Sequence, residues 1–322
     1  MSSSTKTLLA NSVIIAGSNS RKLANNVGTF NDIPVLQHKL TSFVNSEMKI
    51  TIPFNLDPNT NVYIVQSTSS PANGTLMELM LIIDTLKNHG INNIHAIIPY
   101  LGYARQDKEH LPGESMSLDM IVRILNSLGL QSIHTVDIHN AEVIEALALP
   151  IHNQSTMKTL AKNIFKDLKL DETTESQFVI ASPDQGGVDR AKDFAEGFFT
   201  NPENSKFVSV KKERELTKVH YSNAVELYGD IDRQKMIIID DISTSGGTIL
   251  NAIELCRANG VKEIYVVIVH ADFARGVLEK FENHDLIVKM YTTNTIEKPI
   301  EDLDWFSKTK VIDVSEVFGL QD

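Results

Sequence analysis

Two adjacent acids at the end of an apolar run, followed by hydroxyl residues and paired glycines, form a unit with definite chemistry: Met236-Ile237-Ile238-Ile239-Asp240-Asp241-Ile242-Ser243-Thr244-Ser245-Gly246-Gly247-Thr248. The apolar run predicts a strand covered on both faces. Ile249, Leu250, Ile253, Leu255 and Cys256 then recur at helical spacing up to Asn259-Gly260, which predicts a helix over 249–258. A loop between such a strand and helix lies at the carboxyl edge of the sheet and at the positive end of the helix. Gly246 and Gly247 let backbone N–H groups approach an anion there, and Ser243, Thr244, Ser245 and Thr248 add hydroxyl donors. Asp240 and Asp241 suit ribose hydroxyls or a bound Mg²⁺. The combination points to a phosphorylated sugar, and the lysine-containing Walker pattern is absent.

Other charged residues also fall at strand ends. Ser182-Pro183-Asp184-Gln185-Gly186-Gly187 puts Asp184 after an apolar strand, and Arg105-Gln106-Asp107-Lys108 follows the strand near 95–99, where a triphosphate could be gripped. Asp137 and His139 share a face by the strand period of two. Phe43-Val44-Asn45-Ser46-Glu47 joins an aromatic ring able to stack on a base with an amide and a carboxylate able to read its edge. Lys211-Lys212-Glu213-Arg214-Glu215, taken alone, reads as a solvated charge run.

Taken in order along the chain, these segments resemble the ribose-phosphate diphosphokinases (PRPP synthases). The 236–248 segment resembles the PRPP loop that this family shares with type I phosphoribosyltransferases, whereas Tyr103-Ala104-Arg105-Gln106-Asp107-Lys108 resembles a hallmark of the synthases alone. The resemblance runs from Gly17-Ser18 to Val311-Ile312-Asp313-Val314. It implies that Phe43, Asn45, Glu47, Arg105, Gln106 and His139 hold ATP, commonly near a subunit interface of a homo-oligomer. It also implies that Asp240, Asp241 and the 243–248 loop hold ribose 5-phosphate. His139, Asp184, Asp240 and Asp241 would serve Mg²⁺, with Asp137 supporting His139, and Lys212, Arg214 and Arg105 would be catalytic. Val62–Ser67 and Leu76–Leu79 also match, in structural roles. A type I phosphoribosyltransferase and a non-catalytic regulatory subunit are the alternatives.

There are departures from the bacterial and animal members. Thr244 and Ser245 replace an aspartate and a threonine, which is similar to the archaeal-type loop. Glu109 and His110 replace a basic and an acidic residue, and Asp119 and Asp189 stand where lysine is usual. With no arginine in Leu111-Pro112-Gly113-Glu114, and with the sequence ending before the regulatory C-terminal region of those relatives, ADP is expected to inhibit only by competing with ATP.

To position such residues the chain needs two parallel sheets. Strands near 12–16, 62–66, 95–99 and 133–138 alternate with helices near 76–88 and 118–128. Strands near 178–181, 207–210, 236–239 and 264–269 alternate with helices near 156–168, 188–198 and 249–258. The fold class is therefore α/β, two doubly wound mainly parallel-sheet domains of the type I phosphoribosyltransferase kind. Residues 1–152 form the ATP-side domain and 153–310 the PRPP-loop domain, and the tail 311–322 is free to pack back on the first. The connection 150–155 is the boundary, and 171–177 and 201–205 are surface loops.

With 322 residues and 42% hydrophobic content, the chain can bury two cores, and its net charge of −11 argues against nucleic acid or an anionic membrane as a partner. The apolar runs are too short to span a bilayer and the N-terminus lacks a signal-like core, so a cytoplasmic location is expected. The single Cys256 allows no intrachain disulfide and falls on the apolar side of its helix, in a packing role. His134 is expected to pack or to face solvent.

Overall fold

The computed structural model describes residues 11–53, 56–109, 111–213, 224–228, 233–297 and 306–320, with backbone alone for 210–213 and 224–228. The chain divides into two compact units. One comprises Met1–Ser155, Asn294–Lys298 and Asp313–Asp322, and the other Thr156–Thr293 and Pro299–Ile312.

The first unit is built on a six-stranded parallel sheet of order β2-β1-β5-β6-β7-β8. Its strands are β1 (Ser12–Ala16), β2 (Val35–Gln37), β5 (Asn61–Val65), β6 (Asn93–Ile97), β7 (Ser132–Val136) and β8 (Ile151–Gln154). Between β2 and β5 the chain forms a separate antiparallel hairpin, β3 (Lys39–Ser42) and β4 (Met48–Thr51). Helices α2 (Ala72–Asn88) and α3 (Ser117–Ser127) cover one face of the sheet through Val13, Ile15, Val62, Ile64, Ile94 and Ile133. Helix α1 (Arg21–Asn31) covers the other face, with Val314 and Phe318 from the chain's end, over Ile14, Ala16 and Val65. Alternate strand residues thus feed opposite cores, as parallel sheets require.

The second unit has a seven-stranded sheet of order β11-β10-β9-β12-β13-β14-β15. Its strands are β9 (Phe178–Ser182), β10 (Phe207–Glu213), β11 (Ala224–Tyr228), β12 (Lys235–Ser243), β13 (Glu263–Ala271), β14 (Ile287–Thr293) and β15 (Thr309–Ile312). Among the described residues of this sheet only the β10–β11 pair is antiparallel. Helices α4 (Met157–Asp167) and α6 (Val188–Phe198) pack on the face carrying Ile237, Ile239 and Val267, and α5 is the short Glu172–Glu175 turn. Helices α7 (Gly247–Ala258) and α8 (Val277–Glu282) pack on the face carrying Met236, Ile238 and Ile268.

Several details depart from the sequence reading. Residues 151–154 are the edge strand of the first sheet and not a linker, because their backbone continues the ladder of β7. Residues 172–175 are helical, since Asp171 and Thr174 cap one another reciprocally. Val311 and Ile312 lie in an edge strand of the second sheet, so the return to the first unit starts at Asp313. Cys256 is buried against Met236 in the core between β12 and α7.

Candidate functional site

In the second sheet the chain order reverses between β9 and β12, so their carboxyl ends flank the switch point where doubly wound sheets bind ligands. Both ends carry candidate residues. After β9, Asp184 accepts from the Gly187 N–H at 3.1 Å and caps the turn that runs into α6. Strand β12 extends past Ile239, because β13 pairs with it as far as Ser243, so Asp240 and Asp241 lie within the strand. The sequence reading puts them at the end of the apolar run, beyond the strand over 236–239. They are in fact buried, at 7% and 4% exposure.

The period of two turns the two acids to opposite faces. Asp241 shares the face of Ile237 and Ile239, under α6, and there Arg190 Nη1 comes within 3.3 Å of its Oδ1. Asp240 accepts from the Asp241 backbone N–H at 3.0 Å. Burial, followed by the charge and hydrogen bonding of Asp241 and the charge of Asp184, holds the Asp240 carboxyl well above the usual carboxylate range. Arg190 pulls it the other way. Arg190 was missed by the sequence reading. Its only signal was its place on the first turn of the helix that Asp184 leads into.

The following loop turns sharply at Gly246, whose φ of 74° and whose contact with Val277 and Phe281 (3.0 Å from an added Cβ) exclude a side chain. Ser243 is buried, Thr244 and Ser245 are exposed, and Gly247 opens α7 with Thr248 next to it. Ser245 Oγ accepts from the Gly247 N–H at 3.4 Å, and the Thr244 carbonyl accepts from Ala274 N at 2.9 Å. A loop of this form, ending in the N-terminus of a 12-residue helix, presents N–H groups to an anion.

The first unit places its candidates at the carboxyl ends of β6 and β7 and on the hairpin. Arg105 is exposed after β6. Gln106 is latched to the start of α3, its Oε1 accepting from Ser117 Oγ at 2.6 Å. Asn140 donates to Asp107 at 2.7 Å and thereby brings the His139 turn beside the Arg105 loop. The shared strand face expected for Asp137 and His139 does not exist: β7 ends at Val136 and Asp137 takes a φ of 43°, which leaves Asp137 buried and His139 exposed. Phe43, Asn45 and Glu47 occupy the hairpin tip and are all exposed; the turn is closed by Phe43 N donating to the Glu47 carbonyl at 2.8 Å. The Tyr103 hydroxyl donates to Asn73 on the first turn of α2, and Met48 of the hairpin lies against Gly74 on the same turn. One helical turn therefore anchors both the Arg105 loop and the hairpin.

Lys212 belongs to β10, in register with Val225, where the antiparallel partner prolongs the strand beyond the Val210 expected from sequence. Its side chain and the whole of Arg214 lie outside the described residues, as does His110. Among the described residues no three His, Cys, Asp or Glu side chains converge as a metal cage, and no helix is long and apolar enough to cross a membrane.

Two doubly wound units, one with an acid pair and a glycine loop at its switch point, define a protein of the phosphoribosyl-binding α/β class. Comparison with known proteins is specific. Residues 12–129 match the family model for the N-terminal domain of ribose phosphate pyrophosphokinase, and residues 150–304 match that for the phosphoribosyl transferase domain. The ribose-phosphate pyrophosphokinase of Clostridium tetani is 30% identical over 306 residues, covering 95% of this chain and 91% of that protein. That of Wolinella succinogenes is 30% identical over 306 residues, covering 95% and 93%. The crystal structure of phosphoribosylpyrophosphate synthetase from Mycobacterium smegmatis superposes with a TM-score of 0.82 at 25% identity, over 95% of each chain. The chain belongs to the ribose-phosphate pyrophosphokinase family.

Proposed function

We infer that this chain transfers the β,γ-diphosphoryl group of ATP to the anomeric hydroxyl of ribose 5-phosphate, giving PRPP and AMP. The observation that carries the reading is the buried Asp240–Asp241 pair beside the Ser243–Thr248 loop at the α7 N-terminus, in a chain that also has the Arg105-Gln106-Asp107-Lys108 loop. The sugar phosphate would be held by the N–H groups and hydroxyls of Ser243, Thr244, Ser245, Gly246, Gly247 and Thr248, and the ribose hydroxyls by Asp240 and Asp241. ATP would be held by Phe43, Asn45, Glu47, Arg105, Gln106 and His139. The anomeric oxygen attacks the β-phosphorus in line, its bond to phosphorus forming as the α,β-bridging bond to AMP breaks and the hydroxyl proton passes to water. Lys212, Arg214 and Arg105 neutralise the charge that develops.

The donor set also fits Mg²⁺. Asp240, Asp241 and Asp184 are hard carboxylate ligands answered in part by Arg190, and one or two carboxylates together with substrate phosphates are the usual way this ion is bound. One or two of Asp184, Asp240 and Asp241 would hold it on the sugar side, and His139 would serve Mg²⁺ on the nucleotide side; when bound the ion would supply charge neutralisation on the transferring oxygens. The exposed Phe43 and Val44 on the hairpin tip support a homo-oligomer in which the nucleotide site lies near a subunit interface.

Incubation with ATP, Mg²⁺ and ribose 5-phosphate, followed by separation of the products, tests the reading. Stoichiometric AMP and PRPP are expected. Turnover only when PRPP and a free base are supplied would make the chain a phosphoribosyltransferase, and binding without turnover would make it a regulatory subunit.

A further inference from the structure

The nucleotide hairpin leaves the first sheet at a single residue. Strand β2 ends at Gln37 and β3 begins at Lys39, so His38 is the hinge between two sheets, and it is buried. Its Nδ1 lies 3.0 Å from the Ala16 carbonyl oxygen at the end of β1, an acceptor only, so that nitrogen carries a proton. Its Nε2 lies 2.9 Å from Glu78 Oε1 on α2, in a charge contact and not a well-aligned hydrogen bond. Glu78 itself accepts from Ser18 N at 2.8 Å, Ser18 Oγ at 2.6 Å and Gln66 Nε2 at 3.1 Å. Three donors on two oxygens suit the acceptor-only oxygens of a carboxylate. Although burial pushes the Glu78 carboxyl up, the contact with His38 and the hydrogen bonds from Ser18 outweigh that and hold it below the usual value. The pair is therefore an imidazole nitrogen set against a carboxylate oxygen, both withdrawn from water.

A buried polar pair costs desolvation, and apolar residues of similar volume would hold a core as well. What the pair adds is direction. Gly74 and Glu78 lie four residues apart on one face of α2, where Met48 and His38 of the hairpin meet them, and Asn73 on the preceding turn position receives Tyr103 from the Arg105 loop. We propose that the His38–Glu78 pair is a positioning device for nucleotide binding, fixing the hinge from which the hairpin presents Phe43, Asn45 and Glu47 to ATP. The proposal rests on the reading that this hairpin holds the nucleotide.

The test uses the full-length enzyme with His38→Gln, Glu78→Gln and, as a control on the reading itself, Phe43→Ala. Glu78→Gln keeps the size of the side chain and removes its charge, its amide nitrogen replacing one of the oxygens that accept from Ser18 and Gln66. KM for each substrate, kcat, and hydrogen exchange over residues 39–51 are measured. Both pair variants should raise KM for ATP about tenfold, with kcat and KM for ribose 5-phosphate within about twofold of the parent and faster exchange confined to the hairpin. If His38→Gln does not fold, Glu78→Gln decides by the same readings. Wild-type KM for ATP in folded pair variants, with Phe43→Ala impaired, overturns the positioning device and leaves the nucleotide reading standing. Wild-type KM for ATP in Phe43→Ala removes the nucleotide reading and the proposal with it. An equal loss of affinity for both substrates, accompanied by a lower melting temperature, would reduce the pair to a structural role and overturn the proposal.

Discussion

Asp240 and Asp241 are neighbours that a strand turns to opposite sides, and their environments differ accordingly. Asp241 has Arg190 as a counter-ion, whereas Asp240 faces two other carboxylate charges with less compensation. Opposite substitutions at this site should therefore move stability in opposite directions. Asp240→Asn relieves burial and repulsion and should raise the ligand-free melting temperature by roughly 2–4 °C, the equivalent of about 1 kcal/mol, while kcat/KM falls by more than about tenfold. Arg190→Leu leaves Asp241 buried without its guanidinium and should destabilise the second unit by about 3 kcal/mol. Calorimetry and initial rates decide; a fall in melting temperature for both variants would show that Asp240 is compensated by contacts other than Arg190. Lys212→Ala and Arg214→Ala should each lower kcat on the order of 10²-fold with ribose 5-phosphate binding retained, if they meet charge only in the transition state. Unchanged turnover would take both cations out of the mechanism. The residue types of this site were legible in the sequence, since acids, glycines and hydroxyls at a strand end have few other uses together. The burial of the acids was not legible, because it depends on how far β13 pairs along β12, a long-range property.

Elements were legible where an apolar run was bounded by turn residues. The expected 12–16 strand and the expected 188–198 helix are those observed. Three of the missed strands, Val35–Gln37, Ile151–Gln154 and Thr309–Ile312, are short edge strands of mixed polar sequence whose conformation comes from a neighbour's ladder, whereas Ile287–Thr293 is a seven-residue inner strand whose apolar residues are interrupted by Lys289. One edge has a chemical consequence. Tyr63, His95, His134 and His152 stand on one face of β5 to β8, with Tyr63 stacked on His95 at 5.2 Å and His134 on His152 at 4.7 Å. Burial, then the neighbouring His152 and His95, lowers the pKa of His134 to about 4. A histidine depressed in the folded state is protonated first in the unfolded chain. Its contribution to stability is whole above an unfolded pKa of about 6.5 and is lost as pH falls from there toward about 4. The first unit should accordingly melt earlier at pH 5 than at pH 7.5, and His134→Phe, which keeps the stack and removes the titrating ring, should narrow that gap. An undiminished gap in the variant would assign the acid sensitivity to other groups.

At the scale of the whole molecule, the first unit is not a contiguous stretch of chain. It is closed by two returns, one that interrupts the second unit at Asn294–Lys298 and one that follows it from Asp313. In the first return, Glu297 accepts from Leu23 N at 2.7 Å, which satisfies an open N–H at the start of α1, and Ser67 Oγ donates to the Thr295 carbonyl. These contacts close the loops after β1 and β5, the switch point of the first sheet, where Asn19 also bonds to Ser67 and Ser69. In the second return, Asp313 bonds to Asn26 and Asn294, while Val314 and Phe318 complete the core between α1 and the sheet. Periodicity cannot reveal such closure, because the partners are nearly 300 residues apart in the chain. Phe318 is almost fully buried, so Phe318→Ala should cost the first unit about 3–5 kcal/mol, and truncation after Ile312 should cost more. The loss should be local. Hydrogen exchange is expected to accelerate across Ser12–Ala16 and Asn61–Val65 while Met236–Ile239 stays protected, and ATP binding should weaken while ribose 5-phosphate still binds. Equal acceleration in both sheets would mean that the units unfold as one, with the C-terminal return supporting the second sheet as much as the first.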